Sequence, residues 1–169
     1  MSGAEAQTGS TSSTNVRHGC PVTETFGQQV LHVDRSRLVD VAKLLLDEGF
    51  DMCIDVTAVD HLRRANREVP AGVGPERFEV VVNLLSMSRR DRLRLKVQVP
   101  ADDPVVPSLF NVHPGSEAHE REVFDMFGIS FDGHPDMTRI LMPEDWDGHP
   151  LRKDYEQGRI PVQFKGVRA

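Results

Sequence analysis

The chain has 169 residues, 38% hydrophobic and 27% charged, with a formal net charge of −6 at pH 7. That length suits one domain plus tails at roughly 100–200 residues per domain, and the mix is that of an ordinary soluble protein. The acidic balance argues against a nucleic-acid binder, which needs a basic surface against phosphate, and no run approaches the roughly 18 apolar residues of a membrane span.

Residues 1–19 are expected to be a disordered tail, because MSGAEAQTGSTSSTN is rich in small polar residues and has too little apolar area to offset its ordering entropy. It also lacks the basic start and apolar stretch of a secretory signal, so the folded part is expected to stay in the cytoplasm. Residues 20–100 are expected to form an α+β domain. Gly27 to Val33 reads as a strand, after which Asp34 or Ser36 caps a helix with Leu38, Val41, Ala42 and Leu45 at helical spacing. Gly49 ends it. Met52 to Val59 alternates apolar and polar residues and reads as a half-buried strand. Pro70, Gly72, Gly74 and Pro75 make His61 to Glu76 a loop. Phe78 to Leu85 and Leu93 to Val99 are two further strands joined by a hairpin turn over Ser86 to Asp91. In the second, Leu93, Leu95, Val97 and Val99 form one face, and Arg92, Arg94, Lys96 and Gln98 the other. These basic residues, with Arg89 and Arg90, and the loop trio Arg63, Arg64 and Arg67, read as solvated unless a partner covers them. The fold class is therefore a small sheet of mostly antiparallel strands packed with helices, followed by an extended arm punctuated by Pro and Gly.

Residues 101–169 supply that arm and one helix, from about Ser116 to Phe127, ended by Gly128. Glu117/Arg121 and Arg121/Asp125 are four apart and are expected to pair across one turn. Beyond them Gly-His-Pro occurs twice, at residues 133–135 and 148–150, among aspartates.

The chemistry of these residues admits several readings. Metal binding by His134 and His149 with Asp132, Asp136 and Asp147 has no support in spacing, since fifteen positions and two prolines separate the histidines. An acid/base centre at His119, Glu120, Glu122 and Asp125 would need burial to split the carboxylate pKa values, and Arg121 makes ion pairing simpler. Cys20 and Cys53 show no cluster or zinc spacing, and there is no serine elbow or glycine-rich phosphate loop. No catalytic, cofactor-binding or metal-binding residue is assigned. What stands out is the density of large apolar side chains and arginines in an irregular stretch, the residue types enriched where interfaces carry their binding energy. The candidate interface residues are Arg121, Phe127, His134, Arg139, Trp146, His149, Arg152 and Tyr155; Trp146 alone fits a core position equally well.

The stretch EREVFDMFGISFDGHPDMTRILMPEDWDGHPLRKDY, Glu120 to Tyr155, closely resembles the 30 kDa subunit family of NADH:quinone oxidoreductase, respiratory complex I, whose members are the subunit lettered C. The earlier half fits more loosely, through a helix and a strand ending in Thr57 to Asp60. Two departures are visible: Ala118 stands where the family usually has tryptophan, and Glu156 where it often has proline. The resemblance implies a structural subunit of the hydrophilic arm with no cofactor of its own, FMN and iron–sulfur clusters residing in partner subunits. It implies packing on the subunit lettered D, which helps form the quinone cavity, and on neighbouring hydrophilic-arm subunits. It also implies a place at the cytoplasmic side of the cell membrane, touching it only through the complex. In this setting the two Gly-His-Pro turns are expected to lie on the quinone-cavity subunit with the histidines bonding at the contact. The alternative is the equivalent subunit of a membrane-bound hydrogenase or a ferredoxin- or coenzyme-dependent oxidoreductase. A rival from another class, a metal-dependent hydrolase on the His/Asp cluster, would require bound metal in the isolated chain.

Overall fold

Two Xaa-Gly dipeptides organise the first strands. His18–Gly19 and Phe26–Gly27 take positive φ at both positions (50° and 71°, 53° and 72°), as in the two-residue turns whose twist suits antiparallel strands. They join β1 (Asn15–Arg17), β2 (Cys20–Thr25) and β3 (Gln28–Val33) into a meander. The last part of the expected tail is thus ordered: residues 15–19 are strand and turn. The computed structural model describes residues 15–64 and 66–156, so the rest of the expected tail and the end of the arm lie outside the described residues.

After β3 the Asp34 carboxylate accepts the Ser36 N–H (2.8 Å), capping a short turn that leads into α1 (Leu38–Asp47). Leu38, Val41, Ala42 and Leu45 are its buried residues, matching the helical spacing in the sequence. β4 (Met52–Asp60), β5 (Phe78–Ser86) and β6 (Asp91–Val99) follow, and β5 and β6 form the expected hairpin. The six-stranded sheet has the order β1-β2-β3-β6-β5-β4, with every ladder antiparallel except β3–β6. Then come β7 (Val105–Pro107), α2 (Glu117–Phe127) and β8 (Ser130–Asp132), β7 and β8 forming a separate parallel pair.

One buried apolar cluster unites these parts. It includes α1, the alternate residues Leu93, Leu95, Val97 and Val99 of β6, and Val123, Met126 and Phe127 of α2, which packs along β4. Each such side chain contributes about 1.5–3 kcal/mol on burial, so α2 belongs to the same core as the sheet. The polar face of β6 is not merely solvated. Register sets Lys96, Arg94 and Gln98 beside β5, where Lys96 Nζ pairs with Glu79 (2.9 Å), Gln98 Nε2 donates to Glu79 (2.6 Å) and Arg94 Nε donates to Asn83 (3.0 Å). Burial pushes the Glu79 carboxyl upward, but Lys96 and Gln98 outweigh it and hold it below its ordinary value.

Candidate docking surface

α2 carries two fully buried carboxylates. Near its start, Glu120 accepts from Ser108 Oγ (2.6 Å), the Leu109 N–H (2.8 Å) and Ser116 Oγ (2.9 Å), which ties the helix to the segment after β7. Near its end, Asp125 Oδ2 accepts three successive backbone N–H groups, those of Ile140, Leu141 and Met142 (3.0, 2.7 and 2.8 Å). Its Oδ1 receives Arg139 Nη1 at 2.6 Å. Burial pushes this carboxyl up, yet the Met142 N–H, Arg139 and the Leu141 and Ile140 N–H groups together hold it below the usual range. The expected Arg121/Asp125 pair is therefore corrected: Asp125 faces inward because four donors there satisfy it. Arg121 does pair with Glu117 (3.4 Å), and it also donates to the Thr138 carbonyl (3.1 Å) and hydroxyl (2.8 Å).

The second Gly-His-Pro segment closes the C-terminal end of α2, where the last carbonyls of a helix lack internal partners. His149 Nδ1 donates to Asp125 O (2.9 Å), the Leu151 N–H to Met126 O (3.0 Å), and Arg152 Nε and Nη2 to Phe127 O and Gly128 O. Gly128 terminates the helix at φ 69°, and a Cβ there would lie 2.5 Å from both Arg152 Nη2 and His149 Nε2. Gly148 (φ 85°) plays the same part for Tyr155, whose ring would be 2.8 Å from an added Cβ. The first Gly-His-Pro serves the other end: His134 Nε2 donates to Glu117 O (3.1 Å), and its Nδ1 accepts the Asp136 N–H (3.0 Å). The bonds of these histidines named here run within the chain: His149 meets a carbonyl that the end of the helix leaves open, and His134 reaches the carbonyl of the first helical residue and the adjoining turn. The two histidines also bind α2 eight residues apart, about 12 Å along the axis, which does not suit one shared metal. Among the described residues no group of three or more His, Cys, Asp or Glu side chains is placed to hold a metal ion.

The strap formed by residues 133–156 finally returns to the sheet. Asp60 at the end of β4 receives Arg77 through two bonds (Nε 3.2 Å, Nη2 2.9 Å), the Leu62 N–H (2.9 Å) and the Lys153 N–H (2.9 Å). Arg77 also reaches Asp154 (2.6 Å), and both Arg77 and Arg152 lie over the Phe78 ring (4.8 and 5.3 Å).

Of the eight candidate interface residues, Phe127 is buried in the core, and Arg121, His134, Arg139, His149 and Arg152 bond within this chain. Arg139 also donates to Trp146 O (2.9 Å) and Gly148 O (3.0 Å), closing the neck of a loop. Trp146 and Tyr155 are half-buried, and the Trp146 Nε1 has no hydrogen-bond partner among the described residues. Ala118 is exposed on α2 and lies outside the core cluster, so its departure from the family pattern removes no core contact. Ile140 and Leu141, which the sequence places among the large apolar side chains of this irregular stretch but outside the eight named candidates, are 41% and 55% exposed.

Comparison with known proteins places this geometry. Residues 31–160 match the family described as respiratory-chain NADH dehydrogenase, 30 Kd subunit. The NADH-quinone oxidoreductase subunit lettered C of Saccharopolyspora erythraea is 48% identical over 149 residues, 86% of this chain and 56% of the relative. Its counterpart in Mycolicibacterium paratuberculosis is 47% identical over 141 residues, 82% of this chain and 56% of the relative. This chain thus spans little more than half the length of these relatives. Among solved structures, a trypsin-resistant fragment of Nqo5 superposes with a TM-score of 0.61 at 31% identity, over 70% of this chain and 89% of the fragment. A chain of the archaeal membrane-bound sulfane sulfur reductase shares the fold at a TM-score of 0.69 and 19% identity, over 89% of this chain and 88% of that one. The buried carboxylates and the strap they hold lie within the matched span, and the chain belongs to the 30 kDa subunit family of respiratory-chain NADH dehydrogenase.

Proposed function

We propose that this chain is a structural and assembly subunit of the hydrophilic arm of a proton-translocating NADH:quinone oxidoreductase, docked on the subunit that helps form the quinone cavity. FMN and the iron–sulfur clusters belong to partner subunits, and no residue of this chain is given a catalytic role. It sits at the cytoplasmic side of the cell membrane through the complex; no helix among the described residues is long and apolar enough to cross a membrane. The observation that carries this reading is how the family-matched span is spent. Its titratable residues fix an irregular strap by partly buried hydrogen bonds, an arrangement that presents a preorganised surface to a neighbour.

The test is gentle purification from membranes through a tag at the C-terminus of the chain, expressed from its native locus. Recovery with flavin, iron–sulfur and quinone-site subunits of an NADH dehydrogenase is the expected result, and recovery of the chain alone would end the proposal. The archaeal likeness, one of fold only, favours a second reading as the equivalent subunit of another membrane-bound respiratory complex. Co-purifying electron-input subunits of another kind would select it.

A further inference from the structure

Large aliphatic side chains scattered singly over a surface need no explanation. Ile140 and Leu141 are different because their backbone is immobilised. Their N–H groups and that of Met142 point to Asp125, Arg139 closes the loop by binding the Trp146 and Gly148 carbonyls, and Met142 packs against the core. Neither Ile140 nor Leu141 belongs to the core cluster. The fold therefore spends a buried carboxylate and an arginine on presenting two aliphatic side chains that add nothing to its own interior. Ordering a loop is a large part of the cost of association, and here it has already been met. The same loop carries Glu144, Asp145 and Asp147, all exposed, and among the described residues none has a hydrogen-bond or ion-pair partner. Three unpaired carboxylates in the same closed loop as the apolar pair select a partner of opposite charge.

We infer that the loop of residues 140–147 inserts Ile140 and Leu141 into an apolar cleft of a neighbouring protein subunit, a cleft rimmed by lysine or arginine side chains that meet Glu144, Asp145 and Asp147. The inference rests on the proposed role as a subunit of a larger complex and names the surface used. It also moves the anchors: Arg139 acts beneath the loop as a positioning residue, and the contact is made by the aliphatic pair. An anionic bilayer surface does not fit, since the three carboxylates would be repelled by it.

The experiment places a photo-crosslinking benzoylphenylalanine at position 141, at the native locus, and irradiates the assembled complex before peptide mapping. A crosslink to another subunit, at an apolar stretch with a Lys or Arg nearby, is expected. In parallel, Leu141→Glu and the double variant Asp145→Lys/Asp147→Lys should each weaken association roughly tenfold, about 1.4 kcal/mol. Thermal unfolding of the full chain should stay unchanged, which separates loss of docking from loss of fold. Two results overturn the inference while leaving the proposed function intact: the wild-type chain co-purifies with the oxidoreductase but position 141 crosslinks to nothing or to lipid, or both charge variants assemble at the native level. Recovery of the wild-type chain without any other subunit removes the proposed function itself, and the inference with it.

Discussion

In the β5–β6 hairpin, backbone groups are satisfied by a regular ladder from Phe78↔Val99 to Ser86↔Asp91, and cohesion comes from alternate side chains such as Val80, Val82, Leu95 and Val97, all fully buried. Residues 133–156 contain no helix or strand, so their N–H and C=O groups need other partners. They find them at a few points: Asp125 serves three N–H groups, Asp60 serves the Lys153 N–H, and the last carbonyls of α2 serve His149, Leu151 and Arg152. A ladder spreads its hydrogen bonds over many residues, each replaceable. A strap concentrates them on single acceptors, so damage there is all or none. This difference has a physical root: an unpaired buried donor costs about 1–3 kcal/mol, whereas a well-made bond nets only about 1 kcal/mol.

The comparison is broken most severely by Asp125→Ala. It leaves Arg139 without its buried counter-charge and three N–H groups without an acceptor, and removing one member of such a pair costs about 3–5 kcal/mol. We expect the urea midpoint to fall accordingly and limited trypsin digestion to open new sites at Arg139, Arg152 and Lys153 while peptides from the sheet stay protected. Simultaneous loss of protection in both regions would show one cooperative unit and end the distinction. In the sheet, Leu95→Ala should cost about 2–5 kcal/mol through the cavity it leaves. At a denaturant concentration where the variant remains folded, its strap peptides should resist trypsin as well as those of the native chain do. Gly128→Ala should cost about 1–2 kcal/mol for the left-handed backbone alone, with crowding of Arg152 and His149 added. Comparison with Gly128→Asn sharpens the cause: asparagine tolerates that backbone, so equal loss in both variants would assign the effect to crowding at the helix cap.

The regular elements were legible in the sequence because their signals are local. The helical spacing of Leu38, Val41, Ala42 and Leu45 and the alternation in 93–99 each identify an element and the face it buries, and the observed bounds of α2 differ from the expected ones by one residue. The α+β class followed from these. The parallel β3–β6 ladder was not legible, since nothing local sets which strand a neighbour joins. β1 and β2 escaped because their turns use His18 and Phe26 where asparagine or aspartate would have signalled a hairpin. The internal bonds of the strap were not legible for a third reason. Arginine, histidine and carboxylates have the same chemistry whether they anchor a partner or clamp their own chain. Asp125 lies one turn from Arg121, but the tertiary donors at Arg139 and 140–142 outweigh a surface pair worth a few tenths of a kcal/mol.

The smallest effect expected concerns pH. Burial holds the His149 imidazole below its ordinary value; Arg152 and Arg139 add to this, while its bond to the Asp125 carbonyl and the Asp125 charge oppose it. A histidine whose pKa is lower folded than unfolded makes the unfolded state take up the proton first. Stability is then fully present above about pH 6.5, the unfolded value, and declines as pH falls through the folded value. One proton contributes a slope of at most about 1.4 kcal/mol per pH unit. His32, His61 and His113 are lowered in the same direction by burial, so the native profile alone cannot isolate the strap. His149→Gln keeps a donor for the Asp125 carbonyl and removes the titration. The difference between native and variant urea stabilities should stay constant above pH 7 and shrink as pH falls below about 6.5. A difference that stays flat throughout would mean that His149 does not change its protonation on folding, and would leave the pH response of the chain to the three histidines outside the strap.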